Sequence, residues 1–397
     1  MPRPARPTRR WAIVLGLAVA AVAALALLRR PARPAAVSAD VVGALSASAG
    51  DAGFARVIGP EPVAFPADEG AHPAYRTEWW YTTGNLRAVG GERRFGFQLT
   101  FFRRALAPEV PGRASAWATG QVFLAHFTVT DVEADAFYAS ERLARGAAGL
   151  AGAEADPPRV WLESWSASRA GAGGSTRLVA ADGPVALDLE LRPAKPLALH
   201  GDRGFSPKGP QPGNASMYYS YTRQEATGHI TTPDGRFDVR GLAWTDHEWS
   251  TSALAADQAG WDWFALQLED GTDLMLFQIR ETDGGQAPTA SGSGVAADGR
   301  VRALGAADFA IEARGTWRSP RTGASYPSGW RVRVPGEGLD LDVAPLVADQ
   351  ELDVSFKYWE GAVEVGGTRR GRPVAGHGYV ELTGYAPSAG AWPGIGR

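Results

Sequence analysis

The sequence contains no cysteine, and this absence excludes disulfide bonds, thiolate catalysis and cysteine-ligated metal centres. It does not identify the compartment, because an oxidising environment permits disulfides without requiring them. Histidine is also scarce: the 6 residues form neither a His-x-His nor a His-Glu-x-x-His pattern. We therefore expect no metal site.

A strong charge of either sign is missing as well. The 40 basic and 43 acidic residues leave a formal net charge of -3, so no basic field is present to release counterions from a phosphate backbone, and we expect no nucleic-acid partner. No Gly-x-Ser-x-Gly elbow supports a serine hydrolase. The glycine-rich stretches 171–174 and 284–285 have the composition of linkers or hairpin tips, so we expect no phosphate-bearing cofactor and no other cofactor.

One long apolar run lies near the N-terminus, from Trp11 to Leu28, with arginines on both sides. It predicts a signal peptide or membrane anchor over residues 1–30, followed by a flexible linker over residues 31–53. The run is close to the roughly 20 apolar residues that span a bilayer, so cleavage near residues 37–39 and an uncleaved anchor both stay open. In either case we expect an exported protein on the periplasmic or cell-surface side, tethered to the inner membrane by residues 11–28 if the segment is retained.

Tryptophan is abundant, with 14 residues, and several of them mark an internal repeat. Acidic residues and tryptophans open two similar stretches, Glu78-Trp79-Trp80-Tyr81 and Asp246-His247-Glu248-Trp249, and Trp261-Asp262-Trp263-Phe264 follows the second. After each stretch a polar turn leads into a run rich in aromatic and aliphatic residues, at 95–103 and at 274–280. A repeat of this kind predicts two β domains of one type.

Beyond residue 54, short segments alternate apolar and polar residues with a period of two, as at 123–129 and 185–191. Turns rich in Gly, Pro and Asp separate them, which is typical of antiparallel sheet. Closing such sheets into barrels removes their exposed edges. We predict an all-β fold with two tandem calycin-like or lipocalin-like antiparallel β-barrels, an N-terminal domain over residues 54–250 and a C-terminal domain over residues 251–397.

A dense set of motifs between about Arg76 and Tyr385 resembles the carotenoid 1,2-hydratase (hydroxyneurosporene synthase) superfamily. Within it, the similarity is greatest to the exported, AttH-like branch, often described as lipocalin-like predicted secreted hydrolases. The motifs are Thr77-Glu78-Trp79-Trp80-Tyr81, Gly96 to Arg103, Ala125-His126-Phe127, Tyr218 to Arg223, Trp244 to Trp249 and Gly260 to Phe264.

This resemblance implies a double calycin-like barrel, and for exported members it implies ABC-transporter components as partners. It also implies functional acid, His and Trp residues between Asp246 and Asp262, where His247, Trp249 and Asp262 match the family. The tyrosine expected close to Asp262 is a tryptophan in this chain.

The residue types around this motif suit the hydration of an alkene. That reaction needs a carboxylic acid kept protonated in a dry pocket, aromatic faces that tolerate a cation, and one ordered water. The candidate catalytic residues are Asp246, His247 and Asp262. The candidate ligand-binding residues are Trp249, Trp261, Trp263, His126, Tyr219 and Trp80. We expect the site at the junction of the two domains, because the segment from Asp246 to Asp262 ends one repeat and begins the next.

Structural roles compete with these assignments. Trp80, Trp261 or Trp263 can plug the base of a barrel, and a lone strand histidine such as His126 is often a hydrogen-bonded packing residue. Acids that adjoin tryptophan would be costly to bury alone. The sequence therefore predicts hydrogen bonds between one set of residues, Arg103, Arg223 or Arg280, and another, Glu78, Asp246 or Asp262.

Two functions of different class follow. The first is a cofactor-independent hydro-lyase or isomerase, similar to carotenoid 1,2-hydratase, that acts on a hydrophobic polyene, terpenoid or lipid by acid catalysis. The second is a non-catalytic carrier of an apolar ligand at the membrane, associated with an ABC transporter. Both predict an aromatic cavity, but the enzyme alone requires a protonatable acid that touches it.

Overall fold

A computed structural model describes residues 51–109, 115–170, 174–251, 255 and 257–386. The predicted signal or anchor over residues 1–30 and nearly all of the predicted linker lie outside the described residues. Within the part that is described, no helix combines the length and the apolar character needed to cross a membrane.

The first antiparallel sheet contains thirteen of the described strands. Its strands are β1 Thr77–Ala88, β2 Arg94–Ala105, β3 Gln121–Asp131, β4 Ala136–Arg145, β5 Ala151–Ala155, β6 Pro158–Leu162, β7 Trp165–Arg169, β8 Thr176–Asp182, β9 Val185–Pro193, β10 Ala198–Leu199, β11 Phe205–Pro207, β12 Ala215–Thr232 and β13 Gly235–Ser250. The hydrogen-bonded order is β4-β3-β2-β1-β13-β12-β9-β8-β7-β6-β5, and the sheet curls so that β3 and β4 approach β5 and β6.

The second antiparallel sheet follows along the chain with ten of the described strands. Its strands are β14 Gln258–Leu268, β15 Asp273–Glu281, β16 Ser291–Val295, β17 Val301–Gly305, β18 Ala310–Ala313, β21 Trp330–Val334, β22 Leu339–Pro345, β23 Glu351–Asp353, β24 Lys357–Arg369 and β25 Arg372–Leu382. Strands β19 Thr316–Arg318 and β20 Ser325–Pro327 form a separate ribbon, and two short 3-10 turns cover Ala67–Glu69 and Pro335–Glu337.

Both sheets follow one plan, which explains the internal repeat. In each, the first strand pairs with the second strand on one side and with the last strand on the other: β1 with β2 and β13, and β14 with β15 and β25. The opening hairpins turn at Gly90 and Gly271, whose φ values of +77° and +85° favour glycine. The structure confirms the all-β prediction and the repeat.

Side chains on strands β1 and β14 alternate between two environments. Trp80 packs in the core of the first sheet with Phe101, while its neighbour Tyr81 belongs to a different cluster that includes Trp263 of the second sheet. Tyr81 and Trp263 meet edge to face, with ring centroids 5.1 Å apart. This second cluster forms the seam between the two sheets. Because side chains alternate between the two faces of a strand, consecutive residues of one motif face either the interior of a sheet or the seam.

Candidate functional site

Strand β13 carries the Asp246-His247-Glu248-Trp249 motif, and its alternation divides the motif between two sites. Asp246 accepts hydrogen bonds from Ser220 and Tyr218 at the seam. His247 lies on the opposite face of the strand, toward the interior of the first sheet. The predicted grouping of these residues in one site therefore differs from the structure, because neighbouring strand residues point to opposite sides of a sheet.

His247 is the centre of a buried polar cluster. Its Nε2 lies 2.9 Å from Oε1 of Glu78, and its Nδ1 lies 2.9 Å from the Tyr219 hydroxyl. The Trp80 indole stacks on the imidazole with ring centroids 4.7 Å apart. Pairing of β1 with β13 places Trp80 opposite His247, so the first and last strands of the first sheet build this cluster together.

Glu78 is held from several directions. Arg103 Nε donates to Oε2 at 2.8 Å, and both side chains have 0% exposure. The backbone amide of His72 donates to the same carboxylate, and His72 Nδ1 lies 2.7 Å from Oε1. Burial alone would raise the pKa of Glu78, but hydrogen bonds from His247 and His72 and the charge of Arg103 lower that pKa well below its usual range. Glu78 is therefore a carboxylate at neutral pH.

These contacts fix the direction of the bond between His247 and Glu78. Burial lowers the pKa of His247, and the bond to Glu78 only partly opposes this shift. A neutral His247 donates from Nε2 to the Glu78 carboxylate, which leaves Nδ1 as an acceptor; the Tyr219 hydroxyl has one proton and two acceptors in reach, Nδ1 at 2.9 Å and the Asp68 carbonyl at 3.2 Å. Burial also raises the pKa of Tyr219 well above its usual value, so its proton stays on the hydroxyl. The result is a chain from Tyr219 through His247 to Glu78 and Arg103.

The outer end of this chain reaches a cavity of about 60 Å³ inside the first sheet. Tyr219, His247 and Trp80 line it, and apolar walls come from Phe101 and Val160. About 10–15 Å³ of such space holds one water, so the cavity has room for a small chemical group, and it is partly open, so that a longer ligand can extend out of it. Asp246 and Asp262 are not among its lining residues.

The seam contains carboxyl groups with the raised pKa that acid catalysis would require. Burial raises the pKa of Asp246 to about 7, although hydrogen bonds from Ser220 and Tyr218 oppose the rise and the nearby Glu248 adds to it. Desolvation likewise raises the pKa of Glu381 to about 8, against a hydrogen bond from Trp261. A protonated acid is thus present among aromatic rings, on the side of β13 that faces away from the cavity.

Asp262 lies apart from both groups. It accepts from Arg280 Nε at 3.2 Å, from Gln278 at 3.0 Å and from the Tyr385 hydroxyl at 3.0 Å. Its strand neighbours Trp261 and Trp263 pack at the seam. Asp262 therefore belongs to a local ion-pair network of the second sheet, and a catalytic role for it stays a prediction.

His126, another predicted ligand-binding residue, is also remote from the cavity. Its Nδ1 lies 2.7 Å from the Tyr358 hydroxyl and its Nε2 lies 2.9 Å from Glu141. Trp249 lies on the His247 side of β13, where His72 stacks on it with ring centroids 3.7 Å apart. The structure thus brings together His247, Tyr219, Trp80 and Trp249 of the predicted set.

The predicted arginine–carboxylate pairs are confirmed for two of the three arginines. Arg103 pairs with Glu78, and Arg280 pairs with Asp262. Arg223 instead binds Asp273 at 2.6 Å. The pattern of an acid beside tryptophan correctly indicated a cationic partner for Glu78 and for Asp262, whereas Asp246 accepts from hydroxyl and indole donors instead.

Three residues near the cavity were missed by sequence reasoning: His72, Glu69 and Arg169. Glu69 and His72 lie in the segment before β1, where irregular backbone gives no period to interpret, and Arg169 ends the short strand β7. The segment covers the cavity, since the Tyr221 hydroxyl donates to Glu69 at 2.8 Å and Trp80 Nε1 donates to the Glu69 carbonyl at 3.3 Å. The signal that the sequence offered for two of them was an acid, Glu69, and a histidine, His72, nine and six residues before Glu78.

His72, Glu78 and His247 place three potential ligand atoms within 4.8 Å of one another, a spacing that a divalent cation can bridge. Two features of the cluster oppose this use. Arg103 holds the second oxygen of Glu78, so a cation would lie beside a guanidinium charge. Both imidazole rings and a backbone amide already bind the carboxylate. We therefore interpret these residues as a hydrogen-bonded cluster.

The shifted Asp246 pKa makes stability depend on pH. Its value in the folded protein, about 7, lies above its ordinary value of 3.8, so the stabilisation is complete below the ordinary value and is lost as pH rises through 7. The free energy of unfolding of the wild type should therefore fall between about pH 5 and pH 8. This fall should exceed the fall for an Asp246→Asn variant by more than about 1 kcal/mol. Urea unfolding at both pH values measures this, with the exposed Asp340→Asn as control; equal pH dependence of wild type and Asp246→Asn would refute it.

These features define a class: an all-β protein of two calycin-like antiparallel sheets, the first of which encloses a small cavity next to a buried histidine–glutamate pair. The chain belongs to the AttH-like family, whose sequence profile matches residues 56–385. The resemblance noted from the motifs is thereby confirmed.

Two solved structures share this architecture. A putative AttH from Nitrosomonas europaea is 37% identical, with 84% of this chain and 100% of that chain covered and a TM-score of 0.75. Kievitone hydratase from Nectria haematococca is 12% identical, with 88% and 98% covered and a TM-score of 0.64, which shows a common fold. A comparison with curated proteins gave no match.

Proposed function

We propose that this AttH-like protein is a cofactor-independent enzyme that transfers protons to and from a small group held in the cavity beside Tyr219 and His247. The observation that carries the proposal is the hydrogen-bonded chain from Tyr219 through His247 to Glu78, which begins at the cavity wall and ends at a buried ion pair. It has the arrangement of a reactive hydroxyl, a base and an orienting carboxylate.

Each member of the chain has a distinct part. Glu78 holds the imidazole in one tautomer and stabilises the imidazolium that forms when His247 accepts a proton at Nδ1. Tyr219, which lines the cavity, passes its hydroxyl proton to His247 as it takes one from water or from the ligand. Hydrogen bonds from His247 and His72, together with the charge of Arg103, keep the pKa of Glu78 low and the carboxylate ionised, so it does not compete for the proton.

Such a relay suits alkenes conjugated to a carbonyl better than isolated alkenes. The relay removes a proton from water as the oxygen bonds to the β-carbon, and the π electron pair moves to the α-carbon and the carbonyl oxygen. The imidazolium then returns a proton, through Tyr219, to the α-carbon. The net change is addition of one water across the double bond, with no oxidation or reduction. Isomerisation uses the same two proton transfers without water.

A second candidate rests on the seam. Asp246 has a pKa near 7 and adjoins Trp244 and Tyr218, which suits protonation of an isolated polyene or terpenoid, as the family resemblance implies. This acid would need a ligand at the seam rather than in the cavity of the first sheet. The fold is shared with a protein named as a hydratase, which makes water addition the first reaction to test for both candidates.

The test is a screen of the purified protein in ¹⁸O-labelled water with a short conjugated ketone, 4-methylpent-3-en-2-one, and with squalene as an isolated polyene. We expect ¹⁸O in a hydroxyketone product by mass spectrometry and no labelled squalene product. Labelled squalene alcohols would support the seam acid instead. Return of both compounds unchanged, with binding retained, would support the carrier function and sink the proposal.

A further inference from the structure

The wall of the cavity contains a buried pair of opposite charges, Arg169 on β7 and Glu69 before β1. Arg169 lies 3.4 Å from Oε1 of Glu69, and each side chain has 6% exposure. Its guanidinium also lies over the Tyr221 ring, 4.3 Å from the centroid. Tyr221 donates to the same oxygen of Glu69. Three polar side chains therefore hold one another on one side of the cavity.

Two atoms of this group have no hydrogen-bond partner among the described residues: Nε of Arg169, a donor, and Oε2 of Glu69, an acceptor. A buried polar atom without a partner destabilises the folded protein. Both belong to side chains that line the one cavity described next to Tyr219 and His247. Both atoms are closed to solvent in the present side-chain positions, so a ligand group that accepts from Nε and donates to Oε2 would satisfy both once the two side chains turn toward the cavity.

We infer that Arg169 and Glu69 recognise a neutral ligand group that carries an acceptor oxygen and a hydrogen-bond donor side by side, such as a carboxamide or a β-hydroxycarbonyl. The inference rests on the proposed function in one respect, that the cavity is the ligand site. The opposite charges of the pair nearly cancel, so a carboxylate gains from Arg169 and is repelled by Glu69. A hydrocarbon end satisfies neither atom.

The other walls define the rest of the ligand. Phe101, Val160 and Trp80 supply apolar surface, and the volume of about 60 Å³ admits a group of a few heavy atoms. The substrate class is therefore amphipathic, with a polar head between Arg169 and Glu69 and a reacting carbon next to Tyr219. Water addition to a conjugated ketone yields a β-hydroxycarbonyl, which fits the same pair.

Three compounds of nearly equal shape separate these properties: 3-methylbutanamide offers an acceptor and a donor, 4-methylpentan-2-one an acceptor alone, and 3-methylbutanoate a negative charge. Binding to the full chain is measured by ligand-observed NMR titration. We expect the amide to bind at least about tenfold more tightly than the ketone or the carboxylate. A double variant, Arg169→Met with Glu69→Met, removes both charges together and should bind the amide and the ketone equally.

The matched control is His247→Gln, which should abolish turnover and keep the preference for the amide. That pattern separates the two proposals, since loss of turnover tests the relay and loss of the preference tests the pair. The inference is overturned if wild type binds the ketone or the carboxylate as tightly as the amide, or if the double variant keeps the preference. Thermal unfolding of the double variant shows whether the fold is retained; for a variant that does not fold, the wild-type ranking alone decides.

Discussion

Replacing Arg103 with Met should lower the free energy of unfolding by about 3–5 kcal/mol. The guanidinium is fully buried against Glu78, and it also donates to the backbone carbonyls of His72 and Tyr75 at 2.8 and 2.9 Å. Its removal would leave an ionised carboxylate in the interior without its cationic partner. Equilibrium unfolding in urea at neutral pH measures the change.

The control is the same substitution at Arg331, which pairs with Asp340 at 2.6 Å in a setting where the two side chains are 34% and 42% exposed. Solvent screens an exposed pair, which contributes little to stability, so Arg331→Met should barely shift the urea midpoint. Similar effects of the two substitutions would show that the buried pair does not stabilise the protein as argued here.

Replacing Tyr219 with Phe should reduce turnover of the conjugated ketone by about 10²–10⁴-fold, the range that a positioned acid or base contributes. The substitution removes a single oxygen, at the point where the relay meets the cavity, and leaves the aromatic ring in its contact with Phe65. His247→Gln should have an effect in the same range, because it removes the group that exchanges protons with the hydroxyl. Initial rates at saturating and limiting ketone give kcat and KM for each variant.

The neighbouring residue provides a matched control. Tyr218 is one position away on the same strand, is equally buried, and donates to Asp246 at the seam rather than to His247. Tyr218→Phe should retain most of the turnover, and so should His126→Gln. A greater loss from Tyr218→Phe than from Tyr219→Phe would transfer the chemistry to the seam and to Asp246.

Much of the fold could be predicted because the alternation of apolar and polar residues, and the internal repeat, can be identified in the sequence itself. Alternation at 123–129 and 185–191 identified β3 and β9, and Asp-Gly pairs identified the turns after β8 and β14. The Glu78 and Asp246 motifs lie on strands β1 and β13, and the acids beside tryptophan correctly indicated arginine partners for Glu78 and Asp262 but not for Asp246. These inferences require no knowledge of which strand pairs with which.

The arrangement of the site could not be predicted in the same way. Assigning Asp246 and His247 to different sides requires knowing which face of β13 meets the second sheet, and both faces are buried here, so polarity does not distinguish them. Glu69 and Arg169 reach the cavity through irregular backbone and through curvature of the sheet. Contacts of this kind depend on tertiary geometry, which a period of two does not encode.

The pairing of the first strand with the last governs the order in which the native contacts can form. Glu78 and His247 are 169 positions apart, and their strands meet only when the sheet closes. Local hairpins such as β1–β2 need no such search, whereas joining distant segments requires a large loss of chain entropy before any contact compensates it. The contact between Glu78 and His247 can therefore form only when β1 and β13 meet, and a nascent chain that ends before β13 contains Glu78, Arg103 and Trp80 but not the histidine that pairs with Glu78.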